Sequence, residues 1–203
     1  LHSAYKGEEA FQSATALQPT AGIGLLNDKV KGPLKFSEKK VRSIQERVAL
    51  IHEQMVRSTR DPEIYKLARE AVSKRCGNDW CSPEKNSLKG VGELDAAINE
   101  VRAIHGAVQD RVRYVFDPLD YDAFQTARKT WELRTADCDD FVILEGAMLR
   151  TIGIPVRTRV YHTKNFSTWN HIGLLAQLPN QKWTALDPIK KDKPAGWQVP
   201  REL

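Results

Sequence analysis

No apolar run in this chain approaches the ~18 residues that a membrane span needs, and no secretory n/h/c pattern is visible. A cytoplasmic setting with no membrane partner is expected. Cysteine is scarce, three in 203 residues, too few for a disulfide scaffold. No internal repeat or low-complexity tract appears. What remains is ordinary for a folded domain: 41% hydrophobic and 28% charged residues, enough chain for one well-formed core with an extension.

The net charge of +5 is unevenly placed. Between Asp28 and Arg60 nine Lys or Arg face four acids, so that stretch carries the whole excess. A basic face can meet nucleic acid or an acidic partner. No stacking aromatics interleave these charges, so a solvated helix face is expected and nucleic acid is not. Cys76 and Cys81 form a C-x4-C pair. It could close a small disulfide loop or stay as two thiols. A zinc site would need two further ligands, and neither His52 nor His105 belongs to a ligand motif. No metal or other cofactor is expected. Cys138 is the odd cysteine, available as a nucleophile.

Hydrophobic spacing organises the rest. Residues 1–36 show no sustained period and read as an extended arm. Residues 37–203 read as one domain, with a helical part (37–91) and a core (92–203). Val41, Ile44, Val48, Ile51 and Met55 share a helical face from about Glu38 to Arg57, with Ser37 as N-cap. Asp61-Pro62 opens a second helix, carried by Ile64, Leu67, Ala68, Ala71 and Val72 to about Arg75. Cys76–Gly92 is turn-rich. Leu94, Ile98, Val101, Ile104, Val108 and Val112 mark a third helix, with His105 beside the stripe as a packed or surface histidine. Arg113–Phe116 is a short extended piece stopped by Asp117-Pro118. A helix starting at Cys138 has an apolar face (Phe141, Leu144, Met148, Leu149, Ile152) broken by Glu145. Gly153 and Pro155 end it. Val156–Tyr161 alternates as a strand, Thr163–Asn170 is a polar loop, and His171–Leu178 with Trp183–Asp187 forms a hairpin. Helices first and antiparallel strands second give an α+β fold.

Three residue types in this order make an acyl-transfer site: Cys138 as nucleophile, His171 as base, Asp187 as orienting carboxylate. At a helix start, free N–H groups and the positive dipole end favour a thiolate and could hold an oxyanion. Asp137, Asp139 and Asp140 oppose ionisation of the thiol, so the catalytic reading expects them to point away from sulfur. Three carboxylates could also suggest Ca²⁺, but no loop signature accompanies them. Strand parity gives a test. A two-residue turn at Pro179-Asn180 makes paired numbers sum to an odd value and sets His171 and Asp187 on opposite faces. An odd loop or a bulge within Pro179–Lys182 makes the sum even and brings them to one face, diagonally adjacent.

Arg134-Thr135-Ala136-Asp137-Cys138-Asp139-Asp140-Phe141, with Leu144 and Met148 to Arg157, resembles the nucleophile helix and following strand of the transglutaminase-like superfamily of papain-fold thiol enzymes. His171-Ile172-Gly173-Leu174 is similar to its histidine strand, and Trp183-Thr184-Ala185-Leu186-Asp187-Pro188 to its closing strand. Arg113-Tyr114-Val115 with Asp117-Pro118 matches a common preceding element. Ala136 stands where the family often has Gly, and Gly173 where it often has an aromatic. The resemblance implies a papain/transglutaminase-like core over about residues 92–200. It also implies a Cys138–His171–Asp187 triad acting on a protein or peptide amide through a thioester. An upstream side chain at the oxyanion is implied too, for which Trp131, Gln125 and Tyr114 are the candidates. Hydrolysis, as a protease or amidase, is expected over crosslinking. The Asp-Cys-Asp-Asp form after a helical N-terminal region is also similar to bacteriophage and prophage members. A phage structural or assembly protein, using residues 1–36 toward other virion proteins with little catalysis, is the alternative.

Overall fold

The computed structural model describes residues 43–80, 92–116, 124–162 and 170–199, with side chains undescribed for residues 75–80. The arm at residues 1–36, the Cys76/Cys81 pair, the Asp117-Pro118 turn and most of the polar loop after Tyr161 lie outside the described residues.

Five helices and two small sheets are described. Helix α1 (Ile44–Ser58) leads to α2 (Pro62–Trp80) and α3 (Glu93–Arg111). A two-residue strand β1 (Arg113–Tyr114) follows, then α4 (Ala127–Leu133), β2 (Thr135–Ala136) and α5 (Cys138–Thr151). Strands β3 (Val156–Tyr161), β4 (His171–Gln177) and β5 (Trp183–Leu186) complete the order. β3, β4 and β5 form an antiparallel sheet in that order, and β1 pairs parallel with β2. Among the described residues, no helix is long and apolar enough to cross a membrane.

Local chemistry explains most boundaries. Asp61 accepts from the Glu63 amide at 3.0 Å, and Pro62 takes the first helical position, where its missing N–H costs nothing. The cap of α1 is Ser43, not Ser37. Ser43 is extended, and its Oγ accepts from the Glu46 amide at 3.2 Å. Ser43-x-x-Glu46 is the spacing of a capping box, and the apolar stripe had masked it. Helix α2 continues to Trp80, past Arg75 and into the stretch expected to be turn-rich. All five apolar residues of its stripe are buried.

The largest departure concerns α5. Its pattern suggests an amphipathic helix, yet every residue from Asp139 to Met148 and on to Leu149 is buried. Helices α1–α4 pack around it and β4 closes the remaining side. A helix covered on all sides is a central one. Gly146 makes room for α1: a Cβ there would stand 2.7 Å from the Met55 Sδ and Cε atoms. This central helix presents Cys138 at one end.

Candidate active site

The β4–β5 register pairs Leu174 with Leu186 and Gln177 with Trp183, so paired numbers sum to an even value. The loop has three residues, Pro179 to Gln181. The Leu178 amide donates to the Lys182 carbonyl at 2.8 Å and the Gln181 amide to the Leu178 carbonyl at 2.9 Å. Gln181 takes φ 65, the left-handed position that such a loop needs at its end. His171 and Asp187 therefore share a face, offset by two residues. His171 Nε2 lies 2.9 Å from Asp187 Oδ2. The His171 side chain is 15% exposed and that of Asp187 2%.

That bond leaves Nδ1 as the nitrogen able to serve a nucleophile. His171 lines a cleft of about 80 Å³ with Cys138, Arg47, Asp139, Asn170 and Val160 among its other walls. The cleft takes in both His171, the first residue of β4, and its neighbour Ile172. Cys138 and His171 thus line one cleft, and Asp187 is bonded to the His171 ring.

The surroundings of the sulfur differ from expectation. Asp137 does cap α5, but its Oδ1 accepts from both the Asp139 and Asp140 amides at 3.1 Å. Those two amides are consumed by the cap and cannot also hold an oxyanion. The Cys138 amide is the first-turn donor the cap leaves. Asp140 points away from sulfur, accepting from the Gln125 amide at 2.7 Å. Asp139 does not point away: Cys138 Sγ donates to its Oδ1 at 3.6 Å. The other oxygen, Oδ2, accepts from Arg47 Nε at 2.7 Å. Burial pushes the Cys138 thiol well up, and the Asp139 and Asp137 carboxylates push it further; among the described residues Arg47 opposes them. These surroundings favour the neutral thiol over the thiolate that a helix start alone favours.

Asp137, Cys138 and Asp139 hold ligand-type atoms within 4.8 Å of one another. Asp137 accepts from two amides and Asp139 from Arg47.

The three oxyanion candidates are placed as follows. Tyr114 pairs through its backbone with Ala136, and its ring meets Phe116 edge-on at 4.9 Å. Trp131 lies under the Arg111 guanidinium, 5.0 Å from the ring centroid. Gln125 is tied to Asp140, and its Oε1 is buried without a hydrogen-bond partner. None of the three lines the cleft.

Two features escaped the sequence. Gly173 fits a close approach: a Cβ would lie 3.1 Å from both the Leu186 carbonyl oxygen and Tyr161 Cε2. Tyr161, paired with His171 across β3–β4, stacks on the imidazole at 5.6 Å. An aromatic ring thus covers His171, but from the neighbouring strand. Second, His105 is packed, one of its two expected readings, but against a partner that was not foreseen. It is 2% exposed, and its Nδ1 lies 2.8 Å from Oε1 of Glu145, which is fully buried. Burial pulls the His105 pKa down, but the Glu145 charge and hydrogen bond outweigh it, so the net shift is upward. Glu145, alone on an apolar helical face, was the visible signal.

The family profile described as "Transglutaminase-like superfamily" matches residues 87–188, just over half of the chain. The chain belongs to the transglutaminase-like superfamily. A search of curated proteins found no match. Among solved structures, a candidate cysteine protease from Cytophaga hutchinsonii is 20% identical, with TM-score 0.42, over 68% of this chain and 42% of that one. A candidate protease from Parabacteroides distasonis ATCC 8503 is 13% identical, with TM-score 0.46, over 70% of this chain and 26% of that one. The chain thus spans less than half the length of either structure. Within this transglutaminase-like domain, helix α5 carries the cysteine and the β4–β5 hairpin carries the His–Asp pair.

Proposed function

We propose that this transglutaminase-like domain is a cysteine hydrolase of amide bonds, a protease or amidase, working through Cys138, His171 and Asp187. The observation that carries this reading is the His171–Asp187 bond at 2.9 Å, made by an imidazole lining the same cleft as Cys138. Asp187 orients the ring and stabilises its charged form. With the neutral thiol favoured, the proton leaves Cys138 for His171 Nδ1 as sulfur attacks the carbonyl carbon. The C–N bond then breaks, and the amine departs with that proton, leaving a thioester. Water attacks the thioester and gives a proton to His171. The C–S bond breaks, a carboxylic acid leaves, and sulfur recovers its proton. Reaction with a lysine amine in place of water would give an isopeptide link.

A second reading has one observation in its favour. A thiol shared with a carboxylate is poorly placed for attack, which suits an interaction module with little catalysis, of a phage particle in its narrowest form. Incubation with glutamine-containing peptides in ¹⁸O-water, with and without a primary amine, separates these readings by mass spectrometry. Hydrolysis predicts ¹⁸O in new carboxyl groups, lost in Cys138→Ala. Amine adducts in preference to ¹⁸O would replace hydrolysis by transfer, and no product from any peptide would favour the module.

A further inference from the structure

Asp187 is 4% exposed, and its Oδ1 has no hydrogen-bond partner among the described residues. Its side chain is therefore tied through Oδ2 to His171, the very group it is to orient. A carboxylate held in this way can aim an imidazole only if its own backbone is fixed. That backbone sits at an awkward place, one residue beyond β5, where the chain leaves the sheet. The Lys190 amide donates back to the Asp187 carbonyl at 3.2 Å, and the Lys193 amide to the Lys190 carbonyl at 2.9 Å. The Gly196 amide then returns to the Ala185 carbonyl at 2.8 Å. Among the described residues this stretch pairs with no strand, although Ile189 and Ala195 pack against the core.

Gln109 ties this turn to α3. It lies on α3, 9% exposed, 81 residues before Lys190 in sequence. Its Nε2 donates to the Lys190 carbonyl at 2.8 Å and to the Lys193 carbonyl at 2.9 Å. Both amide protons are used, and both go to the turn that begins at Asp187. One helical turn earlier on α3 is His105, which feels the Asp187 charge. We propose that Gln109 is a positioning residue for the candidate active site, clamping the turn that carries Asp187 so that its carboxylate stays aimed at His171. The inference rests on the hydrolase reading above, since it gives the clamp a catalytic consequence.

The test measures carboxamidomethylation of Cys138 by iodoacetamide from pH 5 to 10, followed by mass spectrometry, alongside melting temperature. Wild type and His171→Ala define the His171-dependent part of the rate. Gln109→Met keeps the side-chain length and loses the donors; Gln109→Glu keeps the shape and puts acceptors against the two carbonyls. Both variants are expected to lose about tenfold of the His171-dependent rate, short of the ~100-fold that a 1 Å misplacement can cost, with the shape of the pH profile altered. Either variant suffices if the other folds poorly. A lowered melting temperature with the His171-dependent rate and its profile intact would overturn the clamp and leave a structural contact only. Identical profiles for wild type and His171→Ala would instead overturn the hydrolase reading, whatever the Gln109 variants do.

Discussion

Asp139 is the residue on which the chemistry turns. It accepts from the Cys138 thiol with one oxygen and from Arg47 with the other, so it favours the neutral sulfur while its own charge is balanced by a cation. Removing that carboxylate removes both a repelling charge and a hydrogen bond to the neutral form, so the thiol pKa falls. Asp139→Asn is expected to raise the alkylation rate of Cys138 at pH 7–8 several-fold, measured with iodoacetamide. Arg47→Gln removes the opposing charge and is expected to lower it. A rate unmoved by Asp139→Asn would contradict this electrostatic account. The sequence showed the three aspartates but not their division of labour. Asp137 takes amides of its own helix, Asp140 reaches Gln125, and Asp139 turns to sulfur. These choices depend on neighbours 15 and 92 residues away, which no local pattern encodes.

At the scale of elements, the hairpin was legible and the helix connections were not. Alternation in His171–Leu178 and the need for His171 and Asp187 to share a face were enough to demand an odd loop, and Pro179–Gln181 is one. Two short elements left no such trace: α4 has seven residues and β2 two, too short for a period to be read, whereas β1 falls in the extended piece expected at Arg113–Phe116. Tertiary ties hold α4 in place. The Ala127 amide donates to Ser58 Oγ at 3.3 Å, and Arg128 forms a two-point ion pair with Asp61. The Arg128 hydrogen bond holds the Asp61 carboxyl below its usual range. A depressed carboxylate contributes stability that is complete above its unfolded pKa and is lost as pH falls through its folded one. Arg128→Gln is therefore expected to cost up to about 1 kcal/mol at pH 7, read from urea midpoints. The difference from wild type should close at pH well below the ordinary aspartate value. A gap that persists in acid would assign the loss to packing instead.

Over the whole molecule, one central helix links the core to the site. Helix α5 begins with Cys138 and, two turns later, buries Glu145 against His105 of α3. A buried pair contributes little net stability, yet losing one partner strands the other's charge, at about 3–5 kcal/mol. His105→Gln is expected to lose that much near pH 6, while His105→Leu with Glu145→Leu should lose less. Because the His105 pKa is raised, its contribution is complete below its unfolded value and falls as pH rises through the folded one. The His105→Gln deficit should thus shrink toward alkaline pH; a deficit that grows there would contradict the raised His105 pKa. Everything functional hangs on whether His171, held by Asp187, serves the sulfur of Cys138. The most direct measurement is the rate of acylation of Cys138 by an activated acyl ester in wild type, His171→Ala and Asp187→Asn, with the thioester detected by intact mass. Wild type is expected to form the thioester at least about a hundredfold faster than His171→Ala, within the range of general-base effects, with Asp187→Asn between them. Equal rates in all three proteins would contradict the account.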